Sequence, residues 1–89
     1  MSQHSRKVRI ANDLGLHLRA AGVLVQVAER YKSEISLRRG SNDANAKSIM
    51  SVLSLAASKG VELVVTTDGD DAEQALAALV QVIESGFAE

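Results

Sequence analysis

Of the side chains able to do chemistry, His17 is the one whose neighbours are arranged for it. It lies in Gly15-Leu16-His17-Leu18-Arg19-Ala20-Ala21, between a glycine turn and an apolar run. From Ala21 on, Leu24, Ala28 and Tyr31 recur at intervals of three or four, the spacing of one helical face, so His17 falls at a helix start. The first N–H groups of a helix have no intrahelical acceptor and, with the positive end of the macrodipole, form a site for an anion. Arg19 adds a planar, always-charged guanidinium, and Gly15 lets the backbone come close. The helix start disfavours an additional proton on the imidazole, which leaves a ring nitrogen lone pair as a nucleophile. Phosphorylation of that nitrogen is the chemistry this pattern predicts. The competing reading is a histidine that only caps a helix.

The elements that must hold this site follow from the rest of the pattern. Lys7-Val8-Arg9-Ile10 alternates as a strand with one buried face, and a helix is predicted from Leu18 to about Arg30. Ile35 and Leu37 alternate with polar residues in a second strand. Gly40-Ser41-Asn42-Asp43 is a turn, and a short third strand lies near Ala44. Ser48 stands as N-cap of a short helix through about Leu55. Val61 to Thr66 is β-branched and nearly continuous, hence central in the sheet. Asp70 with Glu73 resembles a capping box, Leu76, Leu79 and Ile83 mark one face of a final helix, and Gly86 closes it. The order is βαββαβα, an α+β string whose economical packing is an antiparallel four-stranded sheet with three helices on one face.

The stretch GLHLRAA resembles GLHARPA, the active-centre signature of the HPr family, the phosphocarriers of the bacterial phosphoenolpyruvate-dependent phosphotransferase system. Asn45-Ala46-Lys47-Ser48-Ile49-Met50-Ser51-Val52-Leu53-Ser54-Leu55 is similar to the family's regulatory-serine motif, NxKSIMGVMSL, at the family's distance from the histidine. The resemblance implies an open-faced β-sandwich in which His17 takes a phosphoryl group on Nδ1 from an enzyme-I-type donor and passes it to an enzyme IIA-type acceptor. It also implies that the Leu18 and Arg19 backbone and the Arg19 side chain hold the transferring group. Ser48 would be a regulatory phosphorylation site served by a serine kinase and phosphatase. At helical spacing Ile49 and Met50 cannot both point inward with Leu53, so at least one is exposed, as part of a docking patch. The chain departs from the family in having Ala20 where proline is usual and Gln26 and Glu29 where sugar-branch members are basic. With the ending Ser85-Gly86-Phe87, which is similar to the nitrogen-related NPr branch, this favours nitrogen regulation over bulk sugar transport.

Composition removes several other classes. The 89 residues imply one domain. Without cysteine there is neither a disulfide framework nor a thiolate metal site. Ten Lys+Arg against eleven Asp+Glu argue against broad nucleic-acid binding. Arg38, Arg39, Lys47 and Lys59 are too few for a basic track, and Tyr31 and Phe87 make no aromatic platform. The polar start, Met1 to Lys7, is too short for a signal peptide, and no apolar run nears a membrane span, so a cytoplasmic monomer without membrane insertion is expected. His4 reads as an incidental residue of a polar tail. Asp68, Asp70, Asp71 and Glu73 lack the spacing of a calcium loop, so no metal or cofactor is expected. The alternative to a carrier is a non-transferring interaction module switched by Ser48 phosphorylation.

Overall fold

The computed structural model describes residues 2–88. In chain order the elements are β1 (Gln3–Arg9), α1 (Leu18–Ala28), β2 (Glu34–Arg39), β3 (Asn42–Asn45), α2 (Ile49–Leu53), β4 (Glu62–Asp68) and α3 (Ala72–Glu84). The strands form one four-stranded antiparallel sheet in the order β1-β4-β2-β3, so the fold is the α+β open-faced sandwich expected, with the β-branched strand inside the sheet.

Side-chain alternation decides which face the helices cover. On β4, Leu63, Val65 and Thr67 are buried, and their cross-strand partners Val8, Leu37 and Ile35 are buried on the same face. Ala20, Ala21 and Ala28 of α1 and Ala75 of α3 are fully buried, and their small side chains let the helix backbones sit close to their neighbours. Leu24, Leu79 and Ile83 fill the remaining space. Thr67 is the polar member of this face, and its hydroxyl donates to the Ala72 carbonyl at 2.7 Å, which removes the cost of burying it. The opposite face is polar: the Ser5 and Thr66 hydroxyls bond at 2.9 Å, and Arg38 makes a two-pronged contact with Asp43.

Element ends moved where backbone pairing outranked side-chain pattern. The first strand starts at Gln3 instead of Lys7, because β4 runs on to Asp68 and supplies partners as far as Gln3. His4 is thus not in a tail but on β1, opposite Thr67. Helix α1 ends at Ala28, where the Arg30 and Tyr31 N–H groups turn to carbonyls three residues back, leaving Tyr31 half-buried beyond the helix. Helix α2 similarly stops at Leu53, and Asn42 and Asp43 belong to β3 rather than to the turn. Gly86 closes α3 as expected: its N–H donates to Ile83 O at 3.1 Å, and Phe87 N–H to Val82 O at 2.9 Å, the paired bonds of a Schellman ending.

The Asp70–Glu73 capping box does not form. The residue preceding α3 is Asp71, and its side chain does not cap the helix. Its carboxylate instead accepts the N–H groups of Lys32 and Ser33, each at 2.9 Å, and the Ser33 hydroxyl. Gly69 allows that approach, since a Cβ there would lie 2.6 Å from Ser33 Oγ, at a φ of +150°. The carboxylate thereby ties the α1–β2 turn to the β4–α3 turn.

These donors, the Ser33 hydroxyl first and the Lys32 N–H next, hold the Asp71 carboxyl below its ordinary pKa. With the folded value depressed, the tie contributes in full above the unfolded carboxylate range and is lost as pH falls through the folded value. Asp71→Asn should therefore lower the melting temperature at pH 7 and lessen its decline on the acid side of about pH 5. Thermal melts across that range check this, and parallel curves for the two proteins would remove Asp71 from the acid transition.

Candidate functional site

His17 is the N-cap of α1, with extended backbone at φ −76° and ψ 178°, so the histidine does begin the helix. The first intrahelical bond runs from Ala21 N–H to His17 O at 2.9 Å, leaving the earlier N–H groups of the turn outside the helical ladder. One of them, from Arg19, donates to His17 Nδ1 at 3.2 Å. That bond fixes the ring: Nδ1 carries a lone pair and faces the helix start, and Nε2 is the other edge. His17 is half-buried, while Arg19 projects into solvent.

The loop before His17 is held by backbone contacts to a distant segment and by one of its own side chains, Asn12. Leu16 N–H donates to Ala57 O at 2.8 Å, in the segment between α2 and β4. Gly15 lies against that same segment at a φ of +66°, and a Cβ there would stand 2.5 Å from Ala57 O and 2.8 Å from Ser58 Cα. Asn12 is buried, its Nδ2 donating to Gly15 O at 2.9 Å and its own carbonyl receiving Gly15 N–H at 3.2 Å. The Ala57 segment is itself braced by Arg39, whose guanidinium donates to Leu55 O and Ala56 O at 3.0 and 2.9 Å.

Ser48 caps α2, its hydroxyl accepting Ser51 N–H at 3.3 Å. The residues before it shape that start: Asn45 Oδ1 accepts Lys47 N–H, Ser51 Oγ accepts Asn45 N–H, and Lys47 Nζ reaches Tyr31 O at 2.7 Å beyond the end of α1. Ile49 and Met50 are both exposed, at 38% and 76%, and the fully inward residue of this helix is Val52, with Leu53 only half-buried.

A groove of about 710 Å³ at the site is lined by Leu14, His17, Leu18, Arg19, Phe87 and Ala88. Leu14 and Leu18 are 72% and 67% exposed, so the histidine is flanked by apolar side chains offered to solvent. Ser48, Ile49 and Met50 are not among the groove residues; they begin α2, which packs on α1. Sequence reasoning missed Asn12, Arg39, Phe87 and the exposed Leu14 as parts of the site. Only an apolar residue in a polar loop marked Leu14; Arg39 and Phe87 act through contacts distant in sequence, and Asn12 bonds Gly15 only three residues on. Among the described residues no group of acids and histidines could hold a metal, and no helix is long and apolar enough to cross a membrane.

A helix-capping histidine on an open-faced sandwich defines a class, and comparison supplies its family. The family model "PTS HPr component phosphorylation site" matches residues 4–85, and the chain belongs to the HPr family of the phosphotransferase system. The chain is 39% identical over 84 residues to the phosphocarrier protein HPr of Neisseria meningitidis serogroup A, covering 94% of each. It is 40% identical over 84 residues to that of Cupriavidus necator, with the same coverage. Among solved structures, HPr-C-His of Thermoanaerobacter tengcongensis superposes with a TM-score of 0.93 at 41% identity, over 97% of each chain.

The Gly15 contact can be tested by itself. A methyl group there meets backbone on one side and forces an L-residue into the left-handed region, so Gly15→Ala should cost about 2–4 kcal/mol. Urea titration measures this. A loss below about 0.5 kcal/mol, the level of an ordinary surface change, would show that the loop does not depend on the close approach.

Proposed function

We propose that the chain is a histidine phosphocarrier, a relay rather than a turnover enzyme, in which His17 Nδ1 takes a phosphoryl group from an enzyme-I-type protein charged by phosphoenolpyruvate and gives it to a histidine on an enzyme IIA-type acceptor. The observation that carries this reading is the Nδ1 lone pair held toward the first turn of α1 by the Arg19 N–H, at 3.2 Å. In the first step the Nδ1 lone pair attacks phosphorus and the N–P bond to the donor breaks, its electron pair returning to the donor's ring. Once Nδ1 is committed to the new bond, the Arg19 N–H has lost its acceptor on the ring and lies beside phosphoryl oxygens, which suit it better because they are charged. The exposed Arg19 guanidinium adds positive charge on the solvent side, where the partner approaches. In the second step the acceptor's histidine attacks the same phosphorus, and the electron pair returns to Nδ1. Both steps need an open site, which the groove and the half-exposed ring supply.

Leu14, Leu18, Ile49 and Met50 offer apolar surface for partners, and flexible Met50 suits a surface that meets more than one. Phosphorylation of Ser48 would add close to two negative charges at the start of α2 and weaken docking to an acidic donor surface. The carrier works in the cytoplasm as a monomer. Ala20 in place of the usual proline, Gln26 and Glu29 where sugar-branch members are basic, and the Ser85-Gly86-Phe87 ending support a place in the nitrogen-regulatory branch.

Incubation with an enzyme-I-type donor and phosphoenolpyruvate should give an acid-labile, base-stable phosphoprotein, and His17→Ala should abolish the label. Arg19→Ala should slow transfer by one to a few orders of magnitude, about 2–4 kcal/mol of transition-state stabilisation, with stability changed by no more than about 0.5 kcal/mol. Persistent labelling without His17 would sink the assignment, and an unchanged rate without Arg19 would remove that residue from the chemistry.

The two roles of Ser48 separate in a pair of variants. Ser48→Asp preserves the cap and adds charge, so it should fold normally and transfer more slowly at low ionic strength. Ser48→Ala should lose about 0.5–2 kcal/mol of stability and keep its transfer rate. Wild-type transfer by Ser48→Asp at low salt would leave the serine only a capping role.

A further inference from the structure

Beyond its closing bonds, the last turn of the chain is wound in an unusual way: Gly86, Phe87 and Ala88 all have left-handed φ values, +80°, +59° and +65°. The effect is to fold the end of the chain back toward the loop that carries His17. Phe87 becomes 3% exposed, joins the hydrophobic core and lines the groove beside Leu14, His17 and Leu18. Gly86 comes up against Asn12, near enough that a Cβ on it would lie 3.6 Å from Asn12 Cβ. Asn12 in turn holds Gly15 by bonds to both its carbonyl and its N–H.

We infer that Phe87 and Asn12 are positioning residues for His17, with the left-handed C-terminal turn seating the Phe87 ring against the groove and backing Asn12, which aims the Gly15–His17 loop. The inference rests on the carrier reading. Phe87 touches no transferring group in this account. It acts by keeping the Nδ1 lone pair and the Arg19 N–H in the alignment that the phosphoryl group must meet, and misplacement of reacting atoms by about 1 Å is enough to slow transfer substantially.

The test is a series at position 87, namely Phe87→Tyr, Phe87→Leu and Phe87→Ala. It is assayed beside Ile35→Val, which trims the core near the end of α1 remote from His17. Transfer from an enzyme-I-type donor is timed at a temperature where circular dichroism shows each variant folded, and the Leu18 and Arg19 amide resonances are followed by NMR. Phe87→Ala should transfer about tenfold or more slowly, with Phe87→Tyr within about twofold of wild type and Ile35→Val unaffected. The two amide resonances should shift only in the position-87 variants. A folded Phe87→Ala that transfers within about twofold of wild type overturns the inference, as does equal slowing by Ile35→Val, which would reduce the effect to general stability. Should Phe87→Ala fail to fold, Asn12→Ala and its combination with Phe87→Leu decide: a combined loss smaller than the sum supports a shared route through the loop, and simple additivity overturns it. A wild-type chain that does not label overturns the carrier reading, whereas a labelled wild type with indifferent Phe87 variants overturns this inference alone.

Discussion

The site depends on a contact between two stretches of backbone. The Leu16 N–H reaches Ala57 O at 2.8 Å, and Gly15 lies so close to the same carbonyl that no side chain fits between them. A short hydrogen bond to a loop would ordinarily be a modest anchor, about 1 kcal/mol net. Here it is backed on both sides, by Asn12 on Gly15 and by Arg39 on the carbonyls of Leu55 and Ala56. Two loops that would each be mobile alone are thereby fixed against each other. The direction in which α1 starts, and so the placement of His17, follows from that joint.

On the proposed reading His17 must accept and then surrender a phosphoryl group, and such a group cannot be held as a buried catalytic residue is held. Here the rigidity sits in the backbone around His17, and its surroundings stay open: Leu14, Leu18 and Arg19 face solvent, and the ring is only half covered. Placing the histidine at the N-cap sets it beside donors that every helix start leaves over, so an anion there would need no dedicated cluster of side chains. Four of the basic residues elsewhere are engaged in structure. Arg39 and Lys47 donate to carbonyls, and Arg38 and Lys59 pair with Asp43 and Asp13. A small domain can in this way keep near-neutral charge and still present a locally positive point.

The two motifs differ in what they do for the fold. Around His17 the motif residues need help from outside, whereas Asn45, Lys47, Ser48 and Ser51 make a nearly self-contained turn and helix start through short-range bonds. The one long reach, Lys47 to Tyr31 O, meets a carbonyl beyond the end of α1 and so fixes how α2 sits beside that helix. The strain at Phe87 fits the same account of local cost and distant return. A left-handed non-glycine residue costs about 1–2 kcal/mol, and full burial of its ring returns up to about 3 kcal/mol.

The element order, the sheet's central strand, the helix starts at His17 and Ser48, and the exposure of at least one of Ile49 and Met50 were legible in the sequence, because each is set by local periodicity or by a capping residue a few positions away. Asp70 and Glu73 show where local signals mislead. Their spacing suits a capping box, yet it is Asp71 that precedes the helix, and its carboxylate serves Lys32 and Ser33, which the sheet brings to it from far along the chain. His4 reads as tail for the same reason: its strand exists because β4 extends far enough to pair with it. Arg39 and Phe87 carry no mark in the sequence, since each acts on a backbone atom or a groove wall assembled from distant segments. The sequence by itself determined that a helix begins at His17, a matter of residue type within one turn. Only the tertiary structure decided how the loop before it is held, because that depends on Gly15 and Leu16 meeting the Ala57 segment from beyond α2, and no local pattern encodes a meeting of that kind.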